Sequence, residues 1–196
     1  MINYSQNQEQ EITLSYFNGK KGRFVEIGAY DPFLFSNTRA LVELDWSGVY
    51  VEANERHLQK FQALYQNNTG IECIYGALST TSEDVIFYEC MDALSTTDLN
   101  HKAKWEKGGT QFDAAKKVPA YSIQELIEKT NGYDFLTLDT EGTSYELFSW
   151  LPDEYLQSLS LICVEHDNKA KDINNRLSIL GFKNLLLNGE NVIYGK

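Results

Sequence analysis

Phe24-Val25-Glu26-Ile27-Gly28-Ala29-Tyr30-Asp31 is a short apolar run that passes through a glycine and stops on polar residues, the pattern of a buried strand ending at a ligand. Glu26 is out of place in a fully buried parallel strand, and Gly28 removes a side chain where the backbone would meet something small. The plainer reading is a turn glycine and an acid near the sheet's end. Which reading holds depends on the rest of the chain.

The same device recurs downstream. Val49-Tyr50-Val51-Glu52 ends in an acid, and Ala53-Asn54-Glu55 opens a helix with Leu58, Phe61, Leu64 and Tyr65 on one face. Phe135-Leu136-Thr137-Leu138-Asp139 leads through Thr140-Glu141-Gly142 into a helix carrying Tyr145, Leu147, Phe148 and Trp150. Residues 159–164 end at Glu165-His166-Asp167, before a helix with Ile173, Leu177 and Leu180 that stops at Gly181. Strands alternating with helices predict an α/β fold, a mostly parallel sheet with helices on both faces, whose ligands sit beyond the carboxyl ends of the strands. Residues 26–31, 52–54, 139–141 and 165–167 would then line one edge.

Around these strands, residues 5–17 read as a short helix ending near Asn18-Gly19, and residues 1–20 as a helical cover over one sheet edge. Ser36-Asn37-Thr38 are good N-cap residues before Ala40, Leu41, Leu44 and Trp46 at helical spacing. Residues 71–78 read as a third strand and 85–88 as a fourth, its hairpin partner across 80–83. Residues 91–117 carry only scattered apolar side chains and read as an unusually long loop, a candidate substrate lid bearing Trp105 and Phe112. Ser122-Ile123-Gln124-Glu125 is a capping box opening a helix. The chain ends in a hairpin, 183–187 and 191–194, whose Asn188-Gly189 pair favours a tight turn.

Composition narrows the function. The 196 residues suit one domain, and 42% hydrophobic and 13% aromatic content is enough for a packed core. A formal net charge of -11, from 17 Lys+Arg and 28 Asp+Glu, opposes phosphate backbones and anionic lipid surfaces. Nucleic acid and membrane partners are disfavoured. Cys73, Cys90 and Cys163 show neither C-x-x-C nor zinc spacing and read as reduced packing residues. With no secretory-type N-terminus and no apolar run approaching ~20 residues, the expectation is a soluble, cytoplasmic protein. Trp105, Phe112 and the N-terminal segment are the surfaces an oligomer would use.

A dinucleotide site wants G-x-G-x-x-G so that two backbone stretches can approach a pyrophosphate. Only Gly28 is present, Pro32 lacks an amide donor, and an acid-lined pocket repels a diphosphate. S-adenosylmethionine instead carries a sulfonium, an ammonium and a ribose diol, which acids at strand ends can bind. Glu52 is placed to accept both ribose hydroxyls.

On Phe24 to Asp31, Ser36-Asn37-Thr38, Trp46 to Asn54, Ala77-Leu78-Ser79, Asp139-Thr140-Glu141-Gly142, Glu165-His166 and Gly181-Phe182, the chain resembles the FkbM-type S-adenosylmethionine-dependent methyltransferases. The resemblance implies a Rossmann-like class I fold of seven strands with the last antiparallel, and O-methylation of a small-molecule or sugar hydroxyl. It implies that Glu26, Gly28, Ala29 and Asp31, with Tyr30 between them, surround the methionine part of the cofactor. Ser36, Asn37 and Thr38 would hold its carboxylate, Glu52 with Ala53 and Asn54 its ribose, and Ala77 with Leu78 its adenine. Asp139 would face the transfer centre. The family usually has glycine where this chain has Pro32, and Tyr30 with Phe33-Leu34-Phe35 is bulky, which alters the acceptor side.

Methyl transfer is an in-line displacement, so most of the work is positioning, and proton removal is secondary. The candidate bases are Asp139, Glu141 and His166. A divalent cation on Asp139 and Glu141 with Glu165 or Asp167 is the lesser alternative. His57 and His101 read as solvated. Two other functions remain open on the sequence: a catalytically silent cofactor-binding module, and an NAD-type oxidoreductase.

Overall fold

The computed structural model describes residues 2–196. In chain order it contains α1 (Glu9–Phe17), β1 (Arg23–Ile27), α2 (Arg39–Val42), β2 (Ser47–Glu52), α3 (Glu55–Tyr65), β3 (Ile71–Tyr75) and β4 (Ala77–Ser79). There follow β5 (Val85–Phe87), α4 (Leu99–Lys107), β6 (Lys116–Val118), β7 (Ala120–Ser122), α5 (Ile123–Thr130), β8 (Phe135–Leu138) and α6 (Ser144–Trp150). The last elements are α7 (Asp153–Ser158), β9 (Leu161–Glu165), α8 (Ala170–Ile179), β10 (Lys183–Leu187) and β11 (Asn191–Gly195).

Seven strands form one sheet in the order β10-β11-β9-β8-β1-β2-β3. The pairs among β3, β2, β1, β8 and β9 are parallel, and β11 alone runs antiparallel to both its neighbours. The expected α/β fold with an antiparallel C-terminal strand is the one observed. Because successive side chains point to opposite faces, β1 sends Phe24 and Glu26 one way and Val25 and Ile27 the other. Val25, Ile27, Val49, Val51, Leu136, Leu138, Ile162 and Val164 meet α5, α6 and α8 through Leu126, Phe148, Ile173 and Leu177. Phe24, Tyr50, Phe135, Leu161 and Ile193 meet the helices on the other face through Phe17, Leu41, Phe61 and Tyr65. Burying each of these side chains is worth roughly 1.5–3 kcal/mol.

The capping box at Ser122 is present, with both reciprocal bonds to Glu125. Helix α1 touches the edge strand β10, as expected, and also reaches over one sheet face, where Phe17 packs on Trp46 at 4.5 Å and on Phe135 at 6.2 Å between ring centroids. Several local expectations are corrected. Helix α2 is one turn long and Trp46 lies beyond it, its indole N–H donating to the Lys20 carbonyl at 3.0 Å. Residues 71–78 break at Gly76, so that β3 stays in the main sheet and β4 pairs with β7. Strand β5 pairs antiparallel with β6, about thirty residues on, rather than across 80–83. The 91–117 segment is no structureless loop: it holds α4, capped by Asp98, and runs into β6. The Asn188-Gly189 turn has no positive φ, and the Asn188 side chain closes it by accepting the N–H groups of Glu190 and Asn191 at 2.9 and 2.7 Å. No helix among the described residues is long and apolar enough to cross a membrane.

Candidate active site

Strand β1 has β2 on one side and β8 on the other, so the strand order reverses between β1 and β8, the place where open α/β sheets bind ligands. A cavity opens there. Gly28, Tyr30, Glu52, Ala53, Asp139 and Glu141 line it beside Ala77 and Leu78, with His57, Ser95, Thr97 and Thr143 further round.

Gly28 is held between the two strand ends. Its N–H donates to the Val51 carbonyl, the Asp139 N–H donates to the Ile27 carbonyl, both at 3.0 Å, and its φ is +77°. A Cβ here would stand 1.5 Å from the Asp139 carbonyl oxygen. The close approach that requires glycine is therefore to the neighbouring strand.

Glu52 is buried at the end of β2. Its carboxylate accepts the N–H of Tyr30 at 2.8 Å and that of Asn54 at 2.6 Å. Burial pushes its carboxyl up, against the opposing pull of those backbone bonds. Tyr30, at φ +54°, is thereby fixed in a left-handed conformation. Asn54 caps α3 by accepting the Arg56 N–H at 3.1 Å, so its side chain serves the helix.

Opposite lies a cluster of acids from two strand ends. Burial pushes Asp139 well above the usual carboxylate range, and the charges of Glu165 and Glu141 push the same way. Glu165 accepts from the Ser144 hydroxyl at 2.6 Å and from the Glu141 N–H at 3.2 Å, while Asp167 accepts the Tyr145 N–H at 2.8 Å. Burial raises Glu141, Glu165 and Asp167 as well. Among the described residues no three side chains of metal-binding type are grouped to hold an ion.

Several residues proposed from the sequence lie elsewhere. Glu26 faces the layer of Phe24 and Tyr50, where it is bonded to the Thr38 hydroxyl and accepts the Asn37 N–H at 3.3 Å. Burial pushes its carboxyl up to about 7. Thr38 also reaches the Tyr50 hydroxyl at 3.0 Å, Asn37 donates to Thr137 Oγ1 at 3.2 Å, and Ser36 accepts the Arg39 N–H at 3.1 Å. Ser36, Asn37 and Thr38 thus enclose Glu26 and helix α2 and do not line the cavity. Ala29 is buried, and Asp31 is paired with Lys60 at 2.6 Å. His166 is turned toward the C-terminal hairpin, Nε2 3.3 Å from the Asn188 carbonyl and Nδ1 accepting the Asn168 N–H at 3.1 Å.

Two histidines expected in solvent are packed instead. His57 is buried and lines the cavity. His101, on α4, brings Nε2 to 3.2 Å from Glu141 Oε2 and fills the space over Gly142 that a side chain there would need. His57 falls in the first turn of α3, which spacing reveals, but His101 had no apolar pattern around it to place it.

A seven-stranded sheet with one antiparallel C-terminal strand and an acid-floored cavity at its switch point defines a Rossmann-like methyltransferase fold. The chain belongs to the methyltransferase FkbM domain family, which matches residues 26–183. Among solved structures it is similar to the METTL16 methyltransferase domain lacking its N-terminus, at a TM-score of 0.51 and 9% identity over 99% of this chain and 84% of that one. It is also similar to a Staphylococcus aureus protein assigned as a caffeoyl-CoA O-methyltransferase, at 0.51 and 13% identity over 100% of this chain and 86% of that one. Monomeric WbdD aligns at 0.50 and 10% identity over 96% of this chain and 39% of its own. At these identities the likeness is one of fold. No curated protein matches the chain.

Proposed function

We propose that the chain transfers a methyl group from S-adenosylmethionine, bound in the switch-point cavity, to a hydroxyl of a small-molecule or sugar acceptor in the cytoplasm. The observation that carries this reading is the Glu52 carboxylate, presented at the cavity wall by the Tyr30 and Asn54 N–H groups. The rest of the lining suits the same ligand. Ile27, Val51, Ala53, Ala77, Leu78 and Phe87 offer apolar surface for a flat base, and the acids offer attraction to a cation. Three free thiols accord with a reducing compartment.

The cofactor, when bound, supplies an electrophilic methyl group on a positively charged sulfonium. Glu52 accepts hydrogen bonds from hydroxyl groups. Burial and the neighbouring acids favour the protonated form of Asp139, in which it is a hydrogen-bond donor. Glu141 is the group to take the proton from the acceptor hydroxyl, its position set by His101 and by the Thr96 hydroxyl on its own carbonyl at 2.6 Å.

The test is calorimetric titration of wild type and Glu52→Ala with S-adenosylmethionine, S-adenosylhomocysteine and NAD. Micromolar binding of the first two, weakened at least about tenfold by the substitution, and no NAD binding are expected. Failure of folded wild type to bind either adenosyl compound would overturn the reading.

A further inference from the structure

Beside the switch-point cavity lies a second, more open groove that shares two of its lining residues, Thr97 and Thr143. Strand β5 serves both, Phe87 lining the cavity and Ile86 the groove. The two spaces adjoin at the threonines, and Glu141, two residues before Thr143 on the same turn, lines the cavity side. This neck is fixed. The Thr96 hydroxyl donates to the Glu141 carbonyl at 2.6 Å, tying the segment that carries Thr97 to the turn that carries Thr143.

The groove has a chemistry of its own. Ile86 and Leu99 are 44% and 60% exposed, and contact with an apolar surface would remove that area from water. Beside them stand Asn100, Glu146 and Asp98, and no lysine, arginine or histidine is among the residues that line the groove. Asn100 and Glu146 are exposed, and neither side chain has a hydrogen-bond or ion-pair partner among the described residues. An amide both donates and accepts, and a carboxylate accepts, so the pair matches hydroxyl groups, which do both. A phosphate or carboxylate would meet Asp98 and Glu146 in the groove and Glu141 beyond the neck, with no cation in the lining to offset them.

We propose that this groove is the acceptor site and that it takes an uncharged sugar ring. The C–H face of the ring lies on Ile86 and Leu99, its hydroxyls meet Asn100 and Glu146, and one hydroxyl reaches through the Thr97–Thr143 neck toward Glu141. The fate of that hydroxyl rests on the methyl-transfer reading of the cavity, whereas the preference for a neutral ring rests on the groove alone. Apolar side chains scattered singly over a surface need no explanation. Here two of them flank unpaired polar groups at the entrance to a cavity. The same acids would attract an amine, so an amino sugar is the competitor to exclude.

The test is NMR of protein carrying labelled isoleucine and leucine methyl groups, with and without S-adenosylhomocysteine, titrated with methyl and phenyl β-D-glucopyranoside, glucose 6-phosphate and glucosamine. Expected are shifts of the Ile86 and Leu99 methyl signals that saturate at about millimolar concentrations of the neutral glucosides, with glucose 6-phosphate at least about fivefold weaker. Glucosamine should bind no more than about fivefold tighter than methyl glucoside, because exposed acids hold an ammonium weakly. Glu146→Lys should bring glucose 6-phosphate to at least the affinity of methyl glucoside, and Leu99→Ser should weaken phenyl glucoside at least about threefold. Both residues are exposed, so both variants should fold and should bind S-adenosylhomocysteine within about twofold of wild type. Ile86 and Leu99 signals unmoved by either glucoside, glucose 6-phosphate as tight as methyl glucoside on wild type, or an unaltered preference in Glu146→Lys would overturn the proposal. Glucosamine beyond the fivefold margin would overturn it in favour of an amine site. Wild type that binds no S-adenosylhomocysteine would bring down the methyl-transfer reading, and the titrations of the unliganded protein would then decide the groove by themselves.

Discussion

The Nε2 atom of His101 lies 3.2 Å from Oε2 of Glu141, tying the surface helix α4 to the turn that follows β8. The residue after Glu141 is glycine, at φ +96°, and His101 occupies the space its side chain would take. The helix that covers this part of the site is thus docked on the turn that carries the proposed base.

Replacing His101 should be felt at Glu141. Burial raises the Glu141 carboxyl, and contact with His101 opposes that rise. Removing the contact in His101→Phe should move the carboxyl further up, and with it the acidic limb of the pH profile for methyl transfer. A carboxyl-labelled NMR titration of Glu141 provides the check without an acceptor. An unmoved titration would show that the pair has no electrostatic consequence.

Gly28→Ala should prevent normal folding or cost about 3 kcal/mol or more, since the new methyl would need the place of the Asp139 carbonyl and alanine would need a positive φ. Denaturant unfolding measures this. A variant as stable as wild type would mean that β1 and β8 can separate at their ends.

Glu26 makes stability depend on pH. Its folded value of about 7 lies above the 4.5 of an exposed glutamate, so the folded state holds the proton more tightly. The corresponding stability is complete below about 4.5 and is lost as pH rises through about 7, amounting to about 3 kcal/mol. Glu26→Gln, which resembles the protonated acid, should remove most of that decline and be the more stable protein at alkaline pH. Melting curves of the pair across this interval decide it, parallel declines counting against Glu26 as the origin.

How much could be read from residues alone follows from the range of the interactions. The capping box at Ser122 and the strands leading to Glu52 and Asp139 are written in a few adjacent residues, and all are present, the second ending one residue earlier, at Leu138. Strand β4 leaving the sheet at Gly76 to meet β7 depends on a partner more than forty residues away, which no local pattern encodes. Helix α4 buries no residue completely, so it has no strong apolar stripe to announce it among 91–117. The alternation in β1 sets where Glu26 points: Val25 and Ile27 face one layer, so Glu26 shares the other with Phe24. The anomaly of an acid in a buried strand was real, and its resolution is a set of local partners from Thr38 and Asn37 rather than a ligand.

Asp139 offers the sharpest separation of stability from chemistry. Burial and the charges of Glu165 and Glu141 push its carboxyl well above the usual range, so the folded state favours the protonated acid. With a raised folded value, its stabilising contribution is present in acid and is lost as pH rises, because ionising it places another negative charge beside Glu165 and Glu141. Asparagine has the size of the protonated acid and cannot ionise. Asp139→Asn should therefore match wild type at low pH and melt progressively higher than wild type as pH rises. Its methyl-transfer rate should fall by about a hundredfold if Asp139 orients the acceptor, since positioning terms of that size are lost with small misplacements. Melting temperature against pH for the two proteins tests the first half without any acceptor. A variant whose melting temperature declines in parallel with wild type would show that Asp139 is already ionised in the fold, and its neutral, hydrogen-bond-donating role would have to be abandoned.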